Sequence, residues 1–214
     1  MNQTAPFPEL TCELVAILRG LRPQEAVDVC TAVFEAGIEA IEVPLNSPDP
    51  FTSIEKLASA LPAALIGAGT VVAAQDVDRL HDAGGRLLVS PNINEDVMNR
   101  AARHGMVTMP GVFTPTEAFR AIGLGASALK FFPAVVLGPA GIAAIRAVLP
   151  HGTVVGVVGG ISDADFAAYK EVGVSTFGLG SSLFKPGMSA DDVGNRAIAA
   201  VRAWRKVFGK NRTR

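Results

Sequence analysis

Residues 153–160 read Thr-Val-Val-Gly-Val-Val-Gly-Gly, an apolar run that closes on two glycines, and helical periodicity takes over at 162–172. A strand with apolar residues on both faces has to be covered on both faces, as in parallel sheets sheathed by helices. The runs Leu-Val-Ala-Ile-Leu at 14–18 and Leu-Leu-Val-Ser at 87–90 have the same character.

Working outward, β-rich runs recur near 14–18, 38–43, 64–67, 86–89, 106–109, 126–130, 154–158 and 174–179, which makes eight. Helical patterns fall between them at 23–36, 74–83, 93–104, 114–122, 139–148 and 162–172, and 189–207 reads as a last helix. Strand and helix in strict alternation demand a parallel sheet, because each crossover helix returns the chain to start the next strand in the same direction. Eight such units predict an α/β fold, a (β/α)8 or TIM barrel. An open doubly wound sheet is the rival. Gly67-Ala68-Gly69 lacks the third glycine of a dinucleotide fingerprint, and no acidic residue closes a second strand at the expected offset.

The composition fits one unit. With 214 residues, 49% hydrophobic and 18% charged, the chain can bury one large core, and no linker or low-complexity stretch marks a boundary, so residues 1–214 are expected to form a single barrel domain. Nineteen basic against twenty acidic residues leave a formal charge of −1, which gives no global field for nucleic acid or a membrane. An anionic substrate must therefore be captured locally. Arg202, Arg205, Lys206, Lys210, Arg212 and Arg214 form a basic end, read as a helix terminus followed by a disordered tail over 208–214. Two cysteines, Cys12 and Cys30, are too few for a disulfide framework, and the start lacks the basic and apolar regions of a signal peptide, so a cytoplasmic protein is expected.

In a barrel of this kind chemistry sits at the C-terminal strand ends. Polar residues that close the apolar runs are Arg19, Glu42, Thr70, Asn92, Lys130 and Ser181, with Pro91, Gly159 and Gly160 beside them. Lys130, in Ala-Leu-Lys-Phe-Phe-Pro, has a setting where desolvation favours the neutral, nucleophilic amine, which can attack a ketone; a lysine with buried stem and hydrated head would look the same. Glu42 on the same rim could shuttle protons or serve only as an ion-pair partner of Lys130 or Arg19. The glycines at 159, 160, 178 and 180 occupy positions where barrels bind phosphate through backbone N–H groups, and also positions where tight turns need glycine. Arg19 offers a fork for a carboxylate or phosphate, or a surface salt bridge. His81, His104 and His151 are scattered, so no metal site is expected.

Taken together, AILRG (16–20), EVPLNSP (42–48), IGAGTV (66–71), SPN (90–92), LKFFPA (129–134), VGGI (158–161) and GLGSSLF (178–184) resemble the 2-keto-3-deoxy-6-phospho sugar-acid aldolases, in order and at matching spacing from about 14 to 204. The resemblance implies a class I aldolase without a cofactor. Lys130 would form the Schiff base and Glu42 would move protons. Arg19 and Thr70 would hold the carboxylate and pyruvyl end, Pro91 and Phe132 would line the pyruvate pocket, and Gly159, Gly160, Gly180 and Ser181 would receive the phosphate. Gluconate-type members read EVTLRT and PTGGI where this chain has EVPLNSP and VVGGI; Asn46 and Val158 are similar to the galactonate-type branch. The implied reaction is cleavage of 2-dehydro-3-deoxy-6-phosphogalactonate to pyruvate and glyceraldehyde 3-phosphate. The alternatives are the gluconate epimer, 4-hydroxy-2-oxoglutarate and, more remotely, isomerase or epimerase chemistry that needs no imine. Family likeness also implies a homotrimer.

Overall fold

The computed structural model describes residues 4–209. Its strands are β1 (Leu14–Ile17), β2 (Ala40–Pro44), β3 (Leu65–Gly69), β4 (Leu87–Val89), β5 (Val107–Met109), β6 (Gly111–Val112), β7 (Leu129–Phe131), β8 (Val155–Val158) and β9 (Thr176–Leu179). Helices α1 (Ala26–Glu35), α2 (Pro50–Ala60), α3 (Ala74–Asp82), α4 (Glu95–Arg103), α5 (Pro115–Gly123), α6 (Ala134–Arg146), α7 (Phe166–Glu171) and α8 (Ala190–Phe208) lie between and after them.

All strand pairs are parallel, in the order β5-β4-β3-β2-β1-β9-β8-β7-β6. The two edge strands are consecutive in the chain, so the sheet curls into a nearly closed barrel of eight staves, the fifth of which is broken at Pro110. Proline has no N–H to give a ladder. Here the pairing switches: Ser90 N–H reaches Met109 O on one side, and Lys130 N–H reaches Pro110 O at 3.0 Å on the other. The eight-run expectation holds, with one stave in two pieces.

Two cores follow from the period-2 alternation of strand side chains. Outward residues such as Leu14, Ile41, Ile66, Leu129, Val157 and Phe177 pack on buried helix residues including Val33, Leu57, Leu80 and Trp204. Inward residues Val15, Ala40, Leu87, Val89, Val107, Met109 and Ala128 fill the barrel, and Phe7 joins them. These side chains occupy the barrel interior below its C-terminal mouth.

Local signals set the helix starts. Asn94 accepts from the N–H groups of Asp96 and Val97, Thr114 and Glu117 form a capping box before α5, and Ser189 accepts from Asp192 N–H. Three expectations need correction. Helix α2 was not among the predicted segments; α6 starts at Ala134 rather than 139, because the turn before its break at Gly138 is also helical; and α8 runs to Phe208, whose ring stacks on Trp204, so the tail expected from 208 begins no earlier than Gly209. Residues 210–214 of that tail lie outside the described residues.

Candidate active site

At the barrel mouth a cavity of about 350 Å³ opens over the interior plug. Its wall includes Arg19, Glu42, Thr70, Pro91, Lys130, Phe132, Val158, Gly159, Gly160, Gly180 and Ser181. Eleven of the twelve residues expected from the sequence are thus brought together from loops and strand ends spread over more than 160 positions. Asn46 is not on the wall. It touches the site through Arg19, whose Nη1 donates to Asn46 Oδ1. Asn92, a further strand-end candidate, does not line the cavity; its carbonyl accepts from Ser90 Oγ at 2.7 Å.

Strand register explains why a carboxylate and an amine fit inside the barrel. Glu42 pairs across with Ile17 and Gly67, while Lys130 pairs with Gly111 and Gly156. Three of the four cross-strand neighbours have no side chain to compete for the interior. Gly69, two residues beyond Gly67, faces the same way, and a Cβ built there would stand 1.9 Å from Glu42 Oε2. The Glu42 carboxyl occupies the volume that any other residue at 69 would need.

Both groups are buried, Glu42 2% and Lys130 6% exposed. Burial disfavours charge, and it pushes the Glu42 carboxyl up to about 7, with the positive charges of Lys130 and Arg19 opposing the shift. The Lys130 ammonium is shifted down from the usual lysine range, chiefly by burial, while Glu42 opposes the shift and Arg19 adds to it. Glu42 Oε2 is buried without a hydrogen-bond partner, which costs free energy and leaves it open to an incoming hydroxyl or water. Lys130 Nζ sits 4.8 Å from the centre of the Phe132 ring. The arrangement can present a neutral amine to a carbonyl carbon next to a group that exchanges a proton near neutral pH.

On one side of this pair Thr70 holds a left-handed backbone conformation, φ 57°, unusual for a β-branched residue. Its hydroxyl accepts from Arg19 Nη2 at 3.4 Å, so the strained turn places a hydroxyl beside the guanidinium. On the other side Gly159 and Gly160, at φ 94° and 76°, follow β8. A Cβ at Gly160 would meet Val135 at 2.8 Å, and one at Gly159 would meet the Phe132 ring at 3.1 Å. Bare backbone forms this part of the wall, in the loop after the seventh stave, one of the two loops where such barrels bind phosphate.

Gly178, one of the strand-end glycines singled out in the sequence, also lines the cavity, as do Ile17, Ile161, Phe184, Lys185 and Pro186, which were not predicted. Ile17 could have been found by counting two residues back from Arg19 along the strand. The loop 184–186 carries no local signal. No group of three or more potential metal ligands occurs among the described residues; His81 and His104 stack on each other at 4.2 Å, and His104 Nε2 contacts Asp78 at 2.8 Å. No helix among the described residues is long and apolar enough to cross a membrane.

A buried lysine sharing a cavity wall with a buried carboxyl, one oxygen of which has no hydrogen-bond partner, at the C-terminal mouth of a parallel β/α barrel defines a class of barrels equipped for imine chemistry at a carbonyl. The chain belongs to the KDPG and KHG aldolase family, whose model matches residues 10–201, and is accordingly a carbon–carbon lyase. It is 59% identical over 205 residues, 95% of this chain and 97% of the relative, to a "Probable 2-dehydro-3-deoxy-6-phosphogalactonate aldolase" of Rhizobium meliloti (strain 1021). It is 44% identical, over 90% of this chain and 95% of the relative, to the 2-dehydro-3-deoxy-6-phosphogalactonate aldolase of Escherichia coli (strain K12). Among solved structures, "Native KDPGal structure" superposes with a TM-score of 0.89 at 42% identity, covering 97% of this chain and 98% of that one.

Proposed function

We propose that the chain cleaves 2-dehydro-3-deoxy-6-phosphogalactonate to pyruvate and glyceraldehyde 3-phosphate through an imine on Lys130. The observation that carries this is that Lys130 and Glu42, 6% and 2% exposed, are buried together in the wall of one cavity at the C-terminal mouth of the barrel, where loss of water makes the lysine less basic and the carboxyl less acidic.

The Lys130 amine adds to the C2 ketone, and the carbinolamine hydroxyl leaves as water after taking a proton from Glu42. The resulting iminium draws in the electron pair of the C3–C4 bond as the C4 hydroxyl gives its proton to the Glu42 carboxylate, which frees the aldehyde. The enamine left on Lys130 takes a proton at C3, and water hydrolyses the imine to pyruvate. Arg19 and Thr70 hold the substrate carboxylate, Pro91 and Phe132 enclose the pyruvyl end, and the glycines at 159, 160 and 180 with Ser181 receive the phosphate. Every one of these residues lines the same cavity, which supports the assignment of roles.

Preference for the galactonate epimer rests on Val158, on the wall, and Asn46, which acts through its hydrogen bond with Arg19, and is supported by the names of the relatives above. Pyruvate release from the two C4-epimeric 6-phosphates tests it. Faster turnover of the galactonate compound is expected; faster turnover of the gluconate compound would assign the chain to the other branch. An isomerase reading gives the buried lysine no task.

The chain is further proposed to be a homotrimer in the cytoplasm. Phe113 and Phe119 are 36% and 46% exposed, and Val135 and Val136, which follow the strand paired with β6, are 64% and 68% exposed; association would cover this apolar surface. Cys12 and Cys30 are buried free thiols, as a reducing compartment keeps them. Sedimentation equilibrium decides the oligomeric state.

A further inference from the structure

Three cations line the cavity, Arg19, Lys130 and Lys185, against a single carboxylate, Glu42. Two of the three are engaged. Arg19 is hydrogen-bonded to Asn46 and Thr70, and Lys130 is buried beside Glu42. Among the described residues no acidic side chain pairs with Lys185.

The backbone that carries Lys185 is fixed on both sides. Phe184 is buried and donates its N–H to Gly180 O at 2.9 Å. Pro186 lies against Gly20 so closely that a Cβ there would stand 2.6 Å from Pro186 Cγ, and Gly20 N–H is itself bonded to Ser47 Oγ at 2.9 Å. A cation without a partner is thereby held at the cavity wall one turn beyond Gly180 and Ser181. A phosphate monoester brings close to two negative charges at neutral pH, and backbone N–H groups supply none in return.

We propose that Lys185 is a specificity-determining residue that supplies the counter-charge for the substrate's phosphate and so selects phosphorylated over non-phosphorylated keto acids. The inference rests on the placement of the phosphate at Gly159, Gly160, Gly180 and Ser181. It concerns binding alone; the amine of Lys130 and the proton of Glu42 are untouched by it.

The test runs the reaction in the direction of synthesis, adding pyruvate to glyceraldehyde 3-phosphate or to glyceraldehyde, with wild type, Lys185→Met and Lys185→Arg. Lys185→Met is expected to raise KM for glyceraldehyde 3-phosphate roughly tenfold, as loss of one charged contact at a partly hydrated site does. KM for glyceraldehyde and borohydride trapping of pyruvate should stay as in wild type, and Lys185→Arg should restore the phosphate preference. Added salt should raise the wild-type KM for the phosphorylated aldehyde more steeply than that of Lys185→Met. A Lys185→Met enzyme with unchanged KM for glyceraldehyde 3-phosphate, or with equal losses on both aldehydes, overturns the role of Lys185 alone. A wild-type enzyme indifferent to the phosphate overturns the phosphate placement and this assignment with it.

Discussion

Gly69 and Glu42 share one volume: the place a Cβ at 69 would take is 1.9 Å from the Glu42 carboxylate oxygen. Gly69→Ala should therefore push the carboxyl away from the cavity or spread β2 from β3. A displacement of about 1 Å at a reacting group can cost on the order of a hundredfold in rate. Steady-state pyruvate release from Gly69→Ala is expected to fall by about that factor; a wild-type rate would mean that the position of Glu42 is not critical.

Burial of Glu42 has a consequence for stability. Its carboxyl titrates near 7 in the fold against 4.5 as the ordinary value, so between those two pH values the folded chain binds the proton more tightly than the unfolded one. Stability from this group is lost as pH rises through that window, and above about 7 the full cost is present. Glu42→Gln should be more stable than wild type at pH 8, by on the order of 1–3 kcal/mol, with the gain shrinking toward pH 4.5. Chemical unfolding at the two pH values checks it. The same variant should lose roughly a hundredfold or more in kcat, as loss of a positioned acid–base group does.

The fold was readable because alternation of strand and helix is a property of residues near each other in the chain. Glu42 and Lys130 were readable for a related reason: each is a polar residue closing an otherwise apolar run. Helix α2 was missed because its buried positions, Ser53, Ile54 and Leu57, form a narrow stripe behind Pro48-Asp49-Pro50. The break at Pro110 is decided by which neighbour each half of the stave pairs with, a tertiary matter. Lys185 reached the cavity through packing of Pro186 on Gly20, residues 166 positions apart, and Asn46 is joined to the site by its bond with Arg19.

Thr70 keeps a left-handed conformation that glycine would adopt without strain. Thr70→Gly should gain about 1 kcal/mol of stability, within the range for such backbone strain. It removes the hydroxyl that Arg19 contacts, so KM for the keto acid should rise. Thermal unfolding and steady-state kinetics on one preparation check both halves; a variant that gains stability with no change in KM would detach Thr70 from substrate binding.

The double change Asn46→Arg and Val158→Thr moves both proposed selectivity positions to the gluconate-type pattern. The ratio of kcat/KM for the two epimers should shift toward the gluconate compound by roughly 10- to 100-fold, the reach of one or two altered contacts. Rates on both epimers measure it, and an unchanged ratio would place selectivity elsewhere.

The central claim is that the buried amine of Lys130 forms a covalent imine, and borohydride reduction in the presence of pyruvate, followed by peptide mass mapping, tests it most directly. Stable incorporation of one pyruvate-derived group on the peptide containing Lys130, absent in Lys130→Ala together with catalytic turnover, is the predicted result. Modification at another lysine, or an active wild-type enzyme that traps no pyruvate at all, would contradict it.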